Sequence, residues 1–361
     1  MLIGKRLYKG PSVVLLKILD TLSSTDNRRL LDDYRHALYE GDLAAATVAS
    51  KNLFSAQAVI QLGYPFANLT GGEALVLEAI LPLQTAIPDI ERRDLIVMAG
   101  PTHHGTDWVG CCGYYTGTFA MPWLEIPPTG HQVSLRFHEF YRVVEGKVVE
   151  LQAVWDIPEF MLQAGVWPLT PSLGREWHVP GPATQDGLSS KPWDSTTAAS
   201  SRQVVLDMLE GLGRYAKEGV QAMALDRYWH PHCSWYGPSG IGTARGIQGF
   251  RKWHQIPFLA AMPDRAGSGT ESNLFADRNY VAFTAWPGMH MSISGDGWLG
   301  IAPTNQKIIM RSLDFWRVEN GLIRENWVLI DLLHVYSQLG IDVFARMKAR
   351  TTGYALSSSY E

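Results

Sequence analysis

The chain has 361 residues, and its 31 Lys and Arg nearly balance 35 Asp and Glu, for a formal net charge of -4, so it offers no broad basic field to nucleic acid or an anionic membrane. Three cysteines, adjacent Cys111 and Cys112 with Cys233 far away, cannot build a paired disulfide framework; they fit a reducing, cytoplasmic setting as buried strand residues. No run approaches the roughly 20 apolar residues of a membrane span, and the length suits two domains of about 150 residues plus linkers.

The first apolar stretch, Val13 to Leu22, is interrupted by Lys17 and Asp20 and precedes no small-residue cleavage site, which predicts a docking segment over residues 1–25. From there the chain states one pattern twice, at a shift of 175 positions: Arg136, Arg142, Gly146, Glu150, Asp156 and Gly165 fall on Arg311, Arg317, Gly321, Glu325, Asp331 and Gly340. A repeat of that length is a domain rather than a solenoid unit. Domains are expected over 26–166 and 201–345, with a tail from 346 to 361.

Each copy opens on an amphipathic helix, with Leu30, Leu31, Tyr34 and Leu38 in one and Val204, Val205, Met208, Leu209 and Leu212 in the other. A turn at Gly41-Asp42 or Gly219 leads to a second helical stretch and a short strand around Val59 or Trp235. The next helix starts after Gly71 or Gly246 and meets Pro82 or Pro257, where a proline should stop or kink it. Four longer strands close the copy, over 94–99, 108–115, 133–143 and 148–155, matched by 272–275, 280–286, 308–318 and 322–330. Between the copies, residues 167–200 lose apolar periodicity and gain Pro, Gly, Ser and Thr. Trp167, Trp177 and Trp193 predict a linker lying along the domain surfaces. Helices first and antiparallel strands last signal an α+β domain with helices on one face of a curved sheet.

The stretches Ile126-Pro127-Pro128-Thr129-Gly130, Tyr141-Arg142-Val143, Gly146-Lys147-Val148-Val149-Glu150 and Gln163-Ala164-Gly165 resemble the C-terminal half of the SnoaL-like polyketide cyclases, within the nuclear transport factor 2-like superfamily. The second copy resembles them through Ile301-Ala302-Pro303-Thr304, Phe315-Trp316-Arg317-Val318, Glu325-Asn326-Trp327 and Arg245-Gly246-Ile247-Gln248-Gly249-Phe250. The resemblance implies two tandem cone-shaped α+β barrels, each a curved antiparallel sheet wrapped on helices around an apolar pocket. It also implies pairing through the open sheet faces, here as an intramolecular pseudo-dimer with Arg136, His138, Phe140 and Arg142 facing Arg311, Leu313, Phe315 and Arg317. Further oligomerisation stays open. It implies no metal or organic cofactor, and a pocket Asp that moves a proton during aldol closure. That position falls on Ala153 and Val328, while the family's partner His falls on Glu139 and Asp314.

Strand alternation puts Glu139 with Phe137 and Tyr141, and Asp314 with Ser312 and Trp316, toward the helices. Such carboxylates serve proton transfer, or else pair with an Arg or Tyr to satisfy the interior. The stripe Phe250, Trp253, His254, Pro257 and Phe258 places His254 on a buried helix face, as a second acid-base group or a core histidine; Glu78 and Ala79 hold the matching places. His290 and Tyr115 match a pocket rim, and Tyr236 and Gln61 match a polar pocket position. Trp123, Trp155, Trp253, Trp298 and Trp316 gather near the predicted pockets, favouring a flat, apolar, aromatic ligand. His230-Pro231-His232-Cys233 has no third ligand at metal-binding spacing.

The expected activity is therefore cofactor-independent lyase, isomerase or cyclase chemistry by proton transfer on an apolar, aromatic or polyketide-like substrate. Asp314, His254, His290 and Tyr236 would act in one cone, and Glu139 and Glu78 in the other. Non-catalytic binding of an apolar metabolite, or epoxide or ester hydrolysis, are the alternatives.

Overall fold

The computed structural model describes Ser24 and residues 26–214, 218–267 and 272–358; apart from Ser24, the docking segment expected over 1–25 lies outside the described residues. The first half contributes strands β1 (Phe54–Leu62), β2 (Leu69–Thr70), β3 (Glu91–Pro101), β4 (Asp107–Thr118), β5 (Gln132–Val144) and β6 (Lys147–Trp155). The second contributes β7 (Trp229–Tyr236), β8 (Thr243–Arg245), β9 (Ser272–Asp277), β10 (Tyr280–Ser292), β11 (Lys307–Glu319) and β12 (Leu322–Ile330). Each set forms a six-stranded sheet, ordered β2-β1-β6-β5-β4-β3 and β8-β7-β12-β11-β10-β9. The long strands fall where alternation placed them, and the two tandem α+β cones are present.

The sheets are mixed, which corrects the expectation of purely antiparallel ones. Strand β1 runs parallel to β6, with Ile60 opposite Leu151, and β7 runs parallel to β12, with Asn326 opposite Trp235. The cause is topological. Strands β3 to β6 alternate direction as a meander, while the helical crossover between β2 and β3 lets the chain return beside β1 running the same way.

The helices behind each sheet begin at definite signals. Asp42 accepts from Ala45 N at 2.9 Å to cap Leu43–Leu53, and Asp156 and Asp331 cap the helices after β6 and β12. The proline-bearing helices do not stop. Gly72–Leu75 passes through a π turn, Val76–Ile80, into Leu81–Ala86; Gly246–Phe250 passes through Arg251–Gln255 into Ile256–Ala261. Each proline lies second in its last segment, so the widened turn takes up the missing N–H and the crowded carbonyl four residues back.

The two sheets meet face to face. His138 Nδ1–H donates to Leu313 O at 2.8 Å, and the rings of Phe140 and Phe315 lie 5.0 Å apart. Residues 138 and 313, like 140 and 315, are equivalents in the repeat, so these contacts mark a local two-fold axis. Around it each half reaches into the other. Asp156 Oδ2 accepts from Arg136 Nη2 at 3.1 Å and from Ser239 N at 2.9 Å; Asp331 Oδ2 accepts from Arg311 Nη1 and from Tyr64 N, both at 3.0 Å. The pseudo-dimer is formed, with one adjustment: Arg142 and Arg317 pair with Glu150 and Glu325 of their own halves, at 2.7 and 2.6 Å. Gly110 permits the close approach, because a Cβ there would lie 2.9 Å from Phe315 Cε1. Gly110→Ala should therefore cost about 1–3 kcal/mol in urea unfolding through overpacking, and a cost below 0.5 kcal/mol would show that the faces are loosely fitted.

The connection between the halves is stitched to both. Val179 N donates to Tyr114 OH at 2.9 Å, Val97 N to Gly187 O at 2.9 Å, Trp327 Nε1 to Pro180 O at 2.9 Å and Trp193 Nε1 to Ala276 O at 2.8 Å. Beyond β12, the helix Val343–Ser358 already contains the start of the expected tail. Cys111, Cys112 and Cys233 are buried in strands without disulfides.

Candidate functional site

The second cone encloses a cavity of about 380 Å³ between β7, β10, β11 and β12 and the Gly246–Ala261 helical run. Its walls are mostly apolar, with Trp229, Trp235, Phe250, Phe258, Phe283, Met289 and Trp316. Asp314 is the one carboxylate among the described residues that line it. It stands at mid-strand on β11, flanked on the same face by Ser312 and Trp316, as alternation requires. Burial pushes its carboxyl up to about 7, while hydrogen bonds from Ser312 and Asn326 pull the other way. Desolvation prevails, since no cation among the described residues offsets it.

His254 lies across the same cavity, stacked on Trp235 at 3.9 Å and 13° and followed by Phe258 at 5.5 Å. Burial lowers its pKa to about 3, so the ring is neutral at physiological pH. Beside it Gln255, 3% exposed, also lines the cavity, and neither Oε1 nor Nε2 has a hydrogen-bond partner among the described residues. The same holds for His254 Nδ1 and for Nε1 of Trp229 and Trp316. A wider groove of about 920 Å³ runs over Gln248, Arg251, Ile256 and the loop holding Trp298, but it is open surface on the outer side of the helix.

The first cone is built differently. Glu139 receives Arg92 Nη1 at 2.6 Å, Tyr141 OH at 2.5 Å, Trp155 Nε1 at 3.0 Å and Tyr115 OH at 3.1 Å. Arg92 also pairs with Asp94 at 3.0 Å and lies 4.1 Å over the Phe137 ring, and Asp94 takes Arg35 at 2.8 Å. Four donors thus converge on the two oxygens of the Glu139 carboxylate, and the rings of Tyr115, Phe137 and Trp155 pack on one another beside it. Trp123, buried at the cone base, packs on Phe160 at 5.3 Å and on Phe66 at 6.4 Å.

Several residues assigned to pockets by periodicity lie elsewhere. Trp253 is 41% exposed beneath Lys252 Nζ, and Glu78, its equivalent, is exposed as well. The π turn is the reason: it adds a residue to the turn, so position 255 comes inward while 253 rotates out. Tyr236 points to the domain interface, its OH donating to Glu325 Oε1 at 3.2 Å, and Gln61 sits there too, beside Glu150 and Trp286. Register slips in the β1–β6 and β7–β12 pairings decide which residues of the first strand face inward, and Trp235 faces in. His290 is exposed, since the bulge between Ala285 and Met289 resets the alternation and turns Met289 inward. His230 and His232 lie 5.7 Å apart, and no group of three His, Cys, Asp or Glu among the described residues could hold a metal.

A family model for SnoaL-like polyketide cyclases matches the chain twice, over residues 34–164 and 216–339. The chain belongs to the SnoaL-like polyketide cyclase family. Membership places it in a family described as polyketide cyclases, whose substrates are small molecules. No curated protein matches the sequence. Similar solved structures are AclR of Streptomyces galilaeus, 22% identical over 39% of this chain and 87% of that one, TM-score 0.33, and IdmH of Streptomyces antibioticus, 21% identical over 39% and 98%, TM-score 0.31. Where the SnoaL-like resemblance expects a proton-moving Asp, the second cone has Val328 in its cavity wall and the first has buried Ala153.

Gln255, Asn326 and Arg92 escaped sequence reading, and alternation set Ser312 on the inner face beside Asp314 without a role. Gln255 lies off the 3.6-residue stripe, and only the proline two positions on hints at the π turn that brings it inward. Asn326 is an ordinary strand residue on the neighbouring strand, and Arg92 has a glycine, Gly267, as its repeat equivalent.

Proposed function

We propose that the second cone is a cofactor-independent acid-base site that shifts protons on a flat, apolar, carbonyl-bearing substrate, in isomerisation or ring closure. The observation that carries this reading is the Asp314 carboxyl, held in an aromatic cavity with its pKa near 7. A group at that pKa is half ionised at neutral pH, where the product of basicity and available base is greatest. Ionised Asp314 would take a proton from the carbon next to the carbonyl. The same proton, returned to another carbon, completes an isomerisation; delivered to an alkoxide, it completes an aldol closure. His254, neutral at that pH, would hydrogen-bond the substrate oxygen as charge develops there rather than act as the base.

Glu139 has no such freedom, with four donors on its two oxygens, so the first cone serves as the supporting half in this reading. Glu78, His290, Tyr236 and Trp253 take no part in it. Tyr115, Trp155, Trp123 and Gln61 hold the first cone and the interface together. Hydrolysis by paired carboxylates lacks a second carboxylate among the described residues that line the cavity. Non-catalytic binding is favoured by one feature, the Val328 side chain at the family's Asp position.

Deuterium exchange at the acidic carbon of 2-tetralone, followed by NMR in D2O, separates catalysis from binding. Acceleration over buffer with an inflection near pH 7 is expected. No acceleration anywhere between about pH 5 and 9 would leave only the binding reading.

A further inference from the structure

Besides Asp314, the cavity wall carries an amide with nothing to bond to. Gln255 is nearly sealed from solvent, yet both its oxygen and its nitrogen lack partners among the described residues. Leaving such a group unpaired is costly unless something completes it. The first cone shows what the position looks like without that demand: the equivalents of His254 and Gln255 are Ala79 and Ile80, both buried and apolar. Sealing a cone therefore requires no glutamine here. The π turn sharpens the point, because it brings Gln255 to the inner face where a regular helix would have turned it away.

A primary amide offers one acceptor and one donor side by side. Its complement is a ligand edge that offers one donor and one acceptor at the same spacing. We propose that Gln255 is the specificity-determining residue of the second cone, selecting planar ligands that carry an adjacent donor-acceptor pair on one edge: a lactam, carboxamide or carboxylic acid. Nδ1 of neighbouring His254 and the indole N–H of Trp316 and Trp229, also without partners among the described residues, add further polar points to otherwise mostly apolar walls. The proposal deepens the acid-base reading of this cavity and rests on the cavity being the ligand site, but not on Asp314 being catalytic.

The test uses two ligands of the same shape. 2-Quinolone has a ring N–H beside its carbonyl, whereas coumarin has a ring oxygen there. Calorimetric titration of the full chain should give about tenfold tighter binding of 2-quinolone, as expected for a hydrogen-bonding site that rejects the analogue lacking the donor. In Gln255→Met, which keeps the volume and removes the amide, the two affinities should converge while coumarin binding stays within about twofold. The variant should melt no lower than wild type. Asp314→Asn should keep the discrimination.

Equal affinities in the wild type, or discrimination that survives Gln255→Met, would overturn the proposal. Failure of both ligands to bind at millimolar concentration would overturn it together with the cavity assignment. Discrimination that is present while 2-tetralone exchange is absent would sink the catalytic reading alone and leave this one standing.

Discussion

Asp314→Asn is expected to lower proton exchange on 2-tetralone by about two to four orders of magnitude, the usual contribution of a positioned general base, while ligand affinity changes little. Asn keeps the shape and can still accept from Ser312, so the loss would report the missing proton rather than a collapsed cavity. The same substitution should change stability in the opposite sense. Between pH 3.8 and about 7 the unfolded chain gives up a proton that the folded Asp314 keeps. Stability from this group is thus complete below pH 3.8 and is lost as pH rises through 7, by on the order of 4 kcal/mol at the upper limit. At pH 8, Asp314→Asn should therefore melt above wild type, and at pH 4 the two should coincide. A variant that melts lower at pH 8 would mean that the carboxylate is already satisfied in the native state and is not poised to act as a base. His254 contributes with the other sign: its lowered pKa costs stability as pH falls from 6.5 toward 3, so comparison with Asp314→Asn at each pH isolates the carboxyl.

Arg92→Met should be the most destabilising single change in the first cone, by about 3–5 kcal/mol in urea unfolding, because it strands the buried Glu139 and weakens the support of Asp94. Adding Glu139→Gln should recover part of that loss. The neutral amide oxygen can still accept from Tyr115, Tyr141 or Trp155, and Asp94 keeps Arg35. A double-mutant cycle with no coupling would contradict the pairing. Ligand binding in the second cone should persist wherever the variant is folded. Loss of that binding in a folded Arg92→Met protein would move the first cone from support to function.

The fold was legible because its evidence is distributed along the chain. The repeat, the strand alternation from β3 to β6 and from β9 to β12, and the proline-rich connection each span many residues, so no single irregularity could hide them. The inward face of β5 and β11 was legible for the same reason, and Glu139, Asp314 and Trp316 were found there. The misplaced residues all follow local departures from ideal periodicity. One extra residue in a π turn exchanged Trp253 for Gln255, slips beside β1 and β7 moved Gln61 and Tyr236 to the far face, and a bulge in β10 did so for His290. Such departures leave no mark on hydrophobic pattern, because each swaps one acceptable residue for the next. The parallel pairing of first and last strands was invisible too, since strand direction is not encoded in composition.

Joining the halves in one polypeptide also changes what substitution can do. In a dimer of identical chains any replacement in a cup is made in both, so a residue that aids turnover but weakens folding exacts its toll twice. Here residues 139 and 314 vary independently across the shared axis: one half can keep a saturated, rigid interior and hold the joint, while the other tolerates a desolvated acid and an unsatisfied amide.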